Sequence, residues 1–121
     1  MKIKNIKFKA KQLNSGKWFE GDLVRLGNRV CIGGDHIKDG ITDVDPSTVC
    51  MFTGLKDCEG KELFEHDLIH FVGFTHTAEV IWSEGNYAFM VVSENKHSYW
   101  LHNVIKVCRI ERIGNKFDKK K

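Results

Sequence analysis

Two pairs of carboxylates with the same spacing are the residues of this chain best suited to acid–base or metal chemistry. Glu65 and Asp67 lie two positions apart, as do Glu20 and Asp22. Alternate side chains of an extended chain share one face, so each pair could bind a cation or act as acid and base. With His70, the second pair would form the site of a metal- or carboxylate-dependent enzyme. This is the least favoured functional interpretation.

The histidine spacing gives a metal site little support. His66 and His70 stand four apart, a spacing that brings two ligands together on a helix. The residues around them, Leu68-Ile69 and Phe71-Val72, are instead typical of a strand. The sequence has no His-Glu-x-x-His motif, no Gly-x-Ser-x-Gly elbow and no phosphate-binding Gly-rich loop. We therefore predict a protein that is not an enzyme, with no catalytic residue, no metal and no cofactor.

The two carboxylate pairs belong to an internal repeat. Phe19-Glu-Gly-Asp-Leu-Val24 is matched by Phe64-Glu-His-Asp-Leu-Ile69, and each copy follows a Gly-Lys pair. In such a unit aspartate can accept hydrogen bonds from nearby backbone N–H groups, while glycine supplies a left-handed residue. We therefore interpret both copies as structural turns that start a strand. His66 replaces Gly21, which fits a turn because histidine is enriched among non-glycine residues at positive φ.

Length and composition predict one domain. The chain has 121 residues, of which 41% are hydrophobic and 29% charged. We expect a domain over residues 1–115 and a basic tail over residues 116–121. Since no apolar stretch approaches the roughly 20 residues of a membrane span and the amino terminus is not a secretory signal, we expect no membrane partner and a cytoplasmic location. The four cysteines fit neither a disulfide framework nor a CxxC zinc site, so reduced thiols are expected.

The elements that must position these residues are mainly strands. Period-two alternation from Ile6 to Lys11 indicates a first strand, and Ala78 to Trp82 with Tyr87 to Val92 indicates a hairpin. Residues 33–48 contain many turn signals and few bulky residues, so we expect a long surface flap there. Tyr99 to Ile113 suggests a short helical turn followed by a strand. The predicted fold is mainly β, a small single-domain barrel or folded sheet with little helix; α+β is the alternative.

Basic and aromatic residues support a nucleic-acid-binding alternative. Lys7, Lys9 and Lys11 would project from one face of the first strand, and Trp18 could stack on a base if it were exposed. The competing interpretation is that alternating lysines form the ordinary solvent face of an edge strand and that tryptophan lies in the core. These four residues are the candidate nucleic-acid site.

The longest motif resembles a known family. Thr53-Gly-Leu-Lys-Asp-Cys-Glu-Gly-Lys-Glu-Leu-Phe-Glu-His-Asp-Leu-Ile69, together with Phe8-Lys-Ala10, Ala78-Glu-Val-Ile-Trp82 and Ile113-Gly-Asn115, is similar to the YopX-like proteins of phages and prophages. His66 stands where that family usually has glycine. The resemblance implies a small, mostly β protein of a phage or mobile element in the bacterial cytoplasm, and it supplies no established reaction or cofactor. The motif positions interpreted as a structural turn are Thr53, Gly54, Leu55, Lys56, Asp57, Gly60, Lys61, Glu65, His66 and Asp67.

The leading interpretation is a non-enzymatic accessory protein of unknown biochemical role. Its flap and neighbouring sheet edges would bind a protein partner or a second copy of the chain, because exposed edge strands favour pairing with another chain. Nucleic-acid binding is the alternative function.

Overall fold

The computed structural model describes residues 2–118, which form eleven strands, one α-helix and three short 3-10 turns. The strands are β1 (Phe8–Lys11), β2 (Trp18–Leu26), β3 (Arg29–Gly33), β4 (Ile41–Asp43), β5 (Cys50–Lys56), β6 (Glu62–Phe64), β7 (Asp67–Phe71), β8 (Thr77–Ser83), β9 (Ala88–Ser93), β10 (Ser98–Trp100) and β11 (Ile110–Asn115). The helix α1 (Leu101–Val107) lies between β10 and β11. No helix of residues 2–118 is long and apolar enough to cross a membrane.

The contact pattern divides the chain into two compact units, Met1–Phe52 and Thr53–Lys121. In the first unit the strand order is β4-β3-β2-β1-β5, and the pairings are antiparallel. Its core is formed by Ala10, Ile32, Ile37 and Val44. The predicted domain over residues 1–115 stays a prediction, and the last three residues of the predicted tail lie outside the described residues.

The segment from Gly33 to Thr48 differs from the surface flap that was predicted. β4 lies within it and pairs with β3, from Cys31↔Asp43 to Gly33↔Ile41. Ile37 and Val44 are buried in the core, with 5% and 1% of their surface exposed. The turn residues were identified correctly as breaks in regular structure, but two branched apolar side chains among them are enough to anchor the segment. The flap prediction is therefore wrong for this part of the chain.

The first copy of the repeat is also not the turn that was predicted. β2 runs without interruption through Glu20, Gly21 and Asp22, and Gly21 pairs with Phe8 of β1. A Cβ on Gly21 would collide with the carbonyl oxygen of Gly33. Glycine is therefore needed here for close backbone approach and not for reversing the chain.

The second unit is built on a five-stranded sheet in the order β10-β9-β8-β7-β11. One face of this sheet packs on α1, which begins with the buried Leu101 and buries Val104 one turn later. Ile69, Val80 and Val91 supply the sheet side of the same core. The part of β5 in this unit lies beside β6.

The predicted hairpin and the predicted helix–strand order are both confirmed. β8 and β9 pair antiparallel from Ala78↔Ser93 to Ser83↔Ala88. The residue with positive φ in the connecting loop is Tyr87, at 50°. The mainly β prediction is confirmed as well: within residues 2–118 the strands form open antiparallel sheets and no closed barrel.

Candidate functional site

The long motif begins in β5 and continues into a tight loop that encloses a buried carboxylate, Asp57. Gly54 and Gly60 hold positive φ values of 84° and 83°, a backbone conformation that glycine adopts without a steric penalty. Asp57 Oδ1 accepts hydrogen bonds from the backbone N–H groups of Glu59 and Lys61, at 2.9 and 2.8 Å. The carboxylate therefore stabilises the loop by satisfying its backbone donors.

The other oxygen of Asp57 contacts the backbone of β11, the last strand of the second unit. Asp57 Oδ2 accepts a hydrogen bond of 2.8 Å from the backbone N–H of Arg112 in β11. The backbone N–H of Cys58 donates to the carbonyl of Ile110 at 3.0 Å, alongside that bond. The loop thus covers the outer side of β11.

The charge on Asp57 is held by these donors. Burial on its own would raise the pKa of this carboxyl group, because it disfavours the charged form. The hydrogen bonds from the N–H groups of Arg112, Lys61 and Glu59 favour the charged form, and the net result is a pKa below its ordinary value. Asp57 is therefore an ionised structural anchor.

The second motif carboxylate, Asp67, is fully buried and also binds backbone. Asp67 Oδ2 accepts a hydrogen bond of 2.7 Å from the N–H of Phe64, and Oδ1 accepts one of 2.9 Å from Asn115 Nδ2. Arg112 Nε lies 3.1 Å from Asp67 Oδ2, at an angle that makes the contact an ion pair and not a hydrogen bond. Asp67 thus joins the turn after β6 to the end of β11.

The turn between β6 and β7 has His66 in a left-handed conformation. Its φ is 70°, as the exchange with glycine predicted. His66 Nδ1 lies 2.8 Å from Glu79 Oε2, and the imidazole packs edge-on against Phe117 at 5.3 Å between ring centres. The backbone carbonyl of His66 accepts from the N–H of Lys116 at 2.9 Å. This turn therefore holds the segment that follows β11.

The carboxylates and the histidine of the enzyme hypothesis have different partners. Asp67 caps backbone, whereas His70 Nδ1 lies 3.0 Å from Glu111 Oε1 and its Nε2 lies 2.6 Å from the carbonyl of Phe74. Glu65 Oε2 lies 3.7 Å from His66 Nε2. No group of three or more His, Cys, Asp and Glu side chains in residues 2–118 is arranged to hold a metal ion.

Lys7, which precedes β1, and Lys9 and Lys11 of β1 lie against aromatic rings of the first unit. Lys9 is only 6% exposed, and its Nζ lies 4.7 Å from the ring centre of Trp18. Lys11 Nζ lies 5.5 Å from the same ring, and Lys7 Nζ lies 4.9 Å from the ring of Phe52. Lys9 and Lys11 thus share one ring, whereas Lys7 lies over another, and the strand alternation could not show that aromatic rings lie beside these lysines. Nucleic-acid binding by these residues stays a prediction.

All four cysteines are free thiols, as predicted. Cys31 and Cys50 are buried, and Cys58 and Cys108 are exposed. Burial raises the pKa of Cys31, and its hydrogen bond of 3.1 Å to Asp43 Oδ1 acts in the same direction. Cys31 is therefore a protonated core residue and not a nucleophile.

Sequence reasoning missed an open cleft in the second unit. Its volume is about 520 Å³, within the range of ordinary ligand sites. Its apolar wall is formed by Phe71, Phe74, Tyr99, Val104 and Val107. Two of these side chains are strongly exposed, Phe74 at 63% and Val107 at 80%. The available signal was Phe74, a large apolar residue inside the turn Val72–His76 where turn chemistry favours polar residues.

Polar groups at the cleft include two imidazoles but no carboxylate. His76 and His97 line it, together with the exposed thiol of Cys108. The cleft therefore combines an apolar wall with polar groups that can form hydrogen bonds.

One wall of the cleft belongs to an edge strand. β10 pairs with β9 on one side and stands at the end of the sheet order. Tyr99 and Trp100 of this strand are 46% and 43% exposed. An edge strand with exposed aromatic side chains can pair with another chain.

Comparison with known families finds one matching family model. The chain matches the family model described as YopX protein over residues 4–120. The chain belongs to the YopX family. A search of curated proteins found no match.

Within this YopX-family chain, the motif from Thr53 to Asp67 has a structural basis at several positions. Thr53 Oγ1 donates to the carbonyl of Leu63 at 2.7 Å and accepts from the N–H of Leu55 at 3.1 Å. Leu55 packs against the hydrophobic core of the second unit. The motif residues therefore form the connection from β5 through β6 to β7, and the buried Asp57 and Asp67 stabilise it.

Proposed function

We propose that this protein is a non-enzymatic accessory protein of a phage or other mobile element, acting in the bacterial cytoplasm as a protein-binding module. The observation that carries the proposal is the position of an apolar cleft beside the open edge of β10. Tyr99 belongs to both features. Exposed apolar surface that is continuous with the open edge of a strand is typical of a surface that binds another chain.

The polar groups of the second unit support a binding role more than a catalytic one. The carboxylates in its motif accept hydrogen bonds from backbone N–H groups, so they maintain the fold. The cleft is lined by His76, His97 and Cys108 without a carboxylate that could orient an imidazole as a general base. Affinity for a partner's apolar side chains is the property best matched to this lining.

The test compares partners recovered by matched variants in infected or lysogenic bacteria. Val107→Asp places a charge in the cleft, and Leu26→Ser removes an exposed apolar side chain of the first unit, which is 47% exposed. We expect a partner with the wild type and with Leu26→Ser that is lost with Val107→Asp, and the same ranking when purified partner and protein are mixed. Equal recovery with both variants would contradict the proposal.

Nucleic-acid binding is the second candidate, favoured by three lysines and Trp18 on one surface of the first unit. If it holds, affinity for DNA or RNA falls steeply with salt and weakens in Lys7→Ala and Lys11→Ala. Binding that does not change with salt would exclude this candidate.

A further inference from the structure

The tip of the β8–β9 hairpin carries an aromatic side chain that the fold does not require. Tyr87 is 80% exposed and has a φ of 50°. It is the last residue of the loop between Ser83 and Ala88, the final pair of the hairpin. A left-handed residue at the end of such a loop is most easily supplied by glycine or asparagine.

Neither backbone conformation nor burial explains tyrosine at this position. A bulky residue in the left-handed region is strained, and an exposed side chain gains little packing energy within its own chain to offset that strain. Gly85 and Asn86, the residue types that suit this conformation, are next to it in the loop but do not occupy it. Tyr87 is therefore best explained by a contact outside its own hairpin.

The cleft cannot accept Tyr87 from the same chain. The cleft includes Ser93 and Asn95, at the end of β9 opposite the hairpin tip. A strand advances about 3.3 Å per residue, so β9 separates the tip from the cleft by roughly 17 Å. A tyrosine side chain cannot span that distance.

The chemistry of the tip complements that of the cleft. Tyr87 offers an aromatic ring with a hydroxyl group, which matches a pocket walled by Phe71, Phe74 and Tyr99. Glu84, an exposed carboxylate in the same loop, would meet the imidazoles of His76 and His97. Aromatic and polar groups thus correspond between the two surfaces.

We propose that the Tyr87 tip of one copy of this chain inserts into the cleft of a second copy. Because tip and cleft are different surfaces, the contact is heterologous, and repetition of it builds a ring or an open chain of subunits. This inference rests on the proposed role of the cleft as a protein-binding surface, and it names the occupant. Each subunit would use both surfaces.

Two single variants separate tip from cleft. Tyr87→Gly removes the aromatic ring and relieves the backbone strain, so its unfolding midpoint should equal or exceed that of the wild type. Val107→Asp alters the cleft at a side chain that is 80% exposed. By sedimentation velocity across a concentration series, we expect the wild type to self-associate and each variant to weaken association by roughly 30-fold or more, equivalent to about 2 kcal/mol.

The decisive measurement mixes the two variants. Tyr87→Gly retains an intact cleft and Val107→Asp retains an intact tip, so the mixture should form a one-to-one dimer that does not grow further. Phe74→Ser serves as a second cleft variant with the same expectation. Glu84→Lys should weaken wild-type association, because it removes the carboxylate that meets the two imidazoles. A monomeric wild type, association that survives Tyr87→Gly, or a mixture that stays monomeric would overturn the inference.

Failure of this inference can be distinguished from failure of the proposed function. If Val107→Asp loses a partner from infected cells while Tyr87→Gly retains it and the wild type is monomeric, the cleft binds another protein and the self-association inference is overturned. If the Val107→Asp variant still binds its partner and still self-associates, the proposed role of the cleft and the self-association inference both fail.

Discussion

The two edge strands of the five-stranded sheet differ in how their outer sides are covered. Along β11, Asp57 and Cys58 bind the outer backbone at Arg112 and Ile110, and the buried Asp67 binds Asn115 at its end. β10 instead presents exposed Tyr99 and Trp100 beside an open apolar cleft. Motif carboxylates thus serve stability at one edge, and the other is the edge at which we propose that a partner binds. Substitutions at the first edge should therefore reduce stability more than substitutions at the second.

The largest effect on stability is expected from Asp67→Ala at the closed edge. The change leaves the N–H of Phe64 and the buried Nε of Arg112 without their carboxylate. Leaving a buried donor without its acceptor costs about 1–3 kcal/mol, and more where the donor is charged, so the loss of both contacts should total about 3–5 kcal/mol. Chemical denaturation at pH 7 measures the free energy of unfolding, and Glu84→Ala, at an exposed carboxylate, is the control. A loss below about 1 kcal/mol would contradict the role of Asp67 as an anchor.

A smaller effect, with a characteristic pH dependence, is expected from Asp57→Asn. Hydrogen bonds to a charged acceptor contribute about 1.5–3 kcal/mol, and asparagine keeps the shape without the charge. Because the folded-state pKa of Asp57 is lowered, its contribution is complete above the ordinary carboxyl value of about 3.9 and is lost as pH falls through the folded-state pKa. The difference in unfolding free energy between wild type and variant should therefore shrink below about pH 4. A constant difference down to low pH would refute the ionised anchor.

The sequence predicted the local part of this closed edge and missed its long-range part. Aspartates that bond nearby backbone N–H groups, and histidine at positive φ, followed from turn chemistry. The partners of those aspartates at Arg112 and Asn115 lie about fifty residues away in sequence. Periodicity carries no information about such pairs, because the fold alone brings them together.

Tertiary contacts also explain the other differences. Alternation placed Lys9 on a solvent face, yet the ring of Trp18 on the neighbouring strand covers it. Gly21 looked like a turn residue, because the approach of the Gly33 carbonyl is not visible in the sequence. The cleft is formed by a turn, an edge strand and a helix, three elements whose meeting point cannot be derived from local patterns.

The turn at His66 tests how much local strain the closed edge tolerates. His66→Ala keeps the positive φ but removes the contact with Glu79, whereas His66→Gly removes the same contact and relieves the strain. The left-handed conformation costs a non-glycine residue roughly 1 kcal/mol, so the glycine variant should be more stable than the alanine variant by about that amount. Denaturation of the two variants measures the gap. Equal stability would show that the alanine variant escapes the positive φ by a change in the turn, and that the stability of the closed edge does not depend on the geometry of this turn.

The smallest effect on stability is expected at the open edge, from Phe74→Ser. The side chain is 63% exposed, so most of its surface is already in contact with water and its replacement by serine loses little apolar burial. Two hydrogen-bonding contacts of Phe74 in this turn use its backbone atoms: the N–H of Phe74 donates to the carbonyl of Phe71, and the carbonyl of Phe74 lies 2.6 Å from His70 Nε2. Serine preserves both, so the free energy of unfolding should change by no more than about 0.5 kcal/mol. Thermal and denaturant unfolding of Phe74→Ser beside Asp67→Ala therefore measure the contrast between the edges directly. A loss comparable to that of Asp67→Ala would mean that the cleft wall is part of the core, and the distinction between a stabilising edge and a recognition edge would fail.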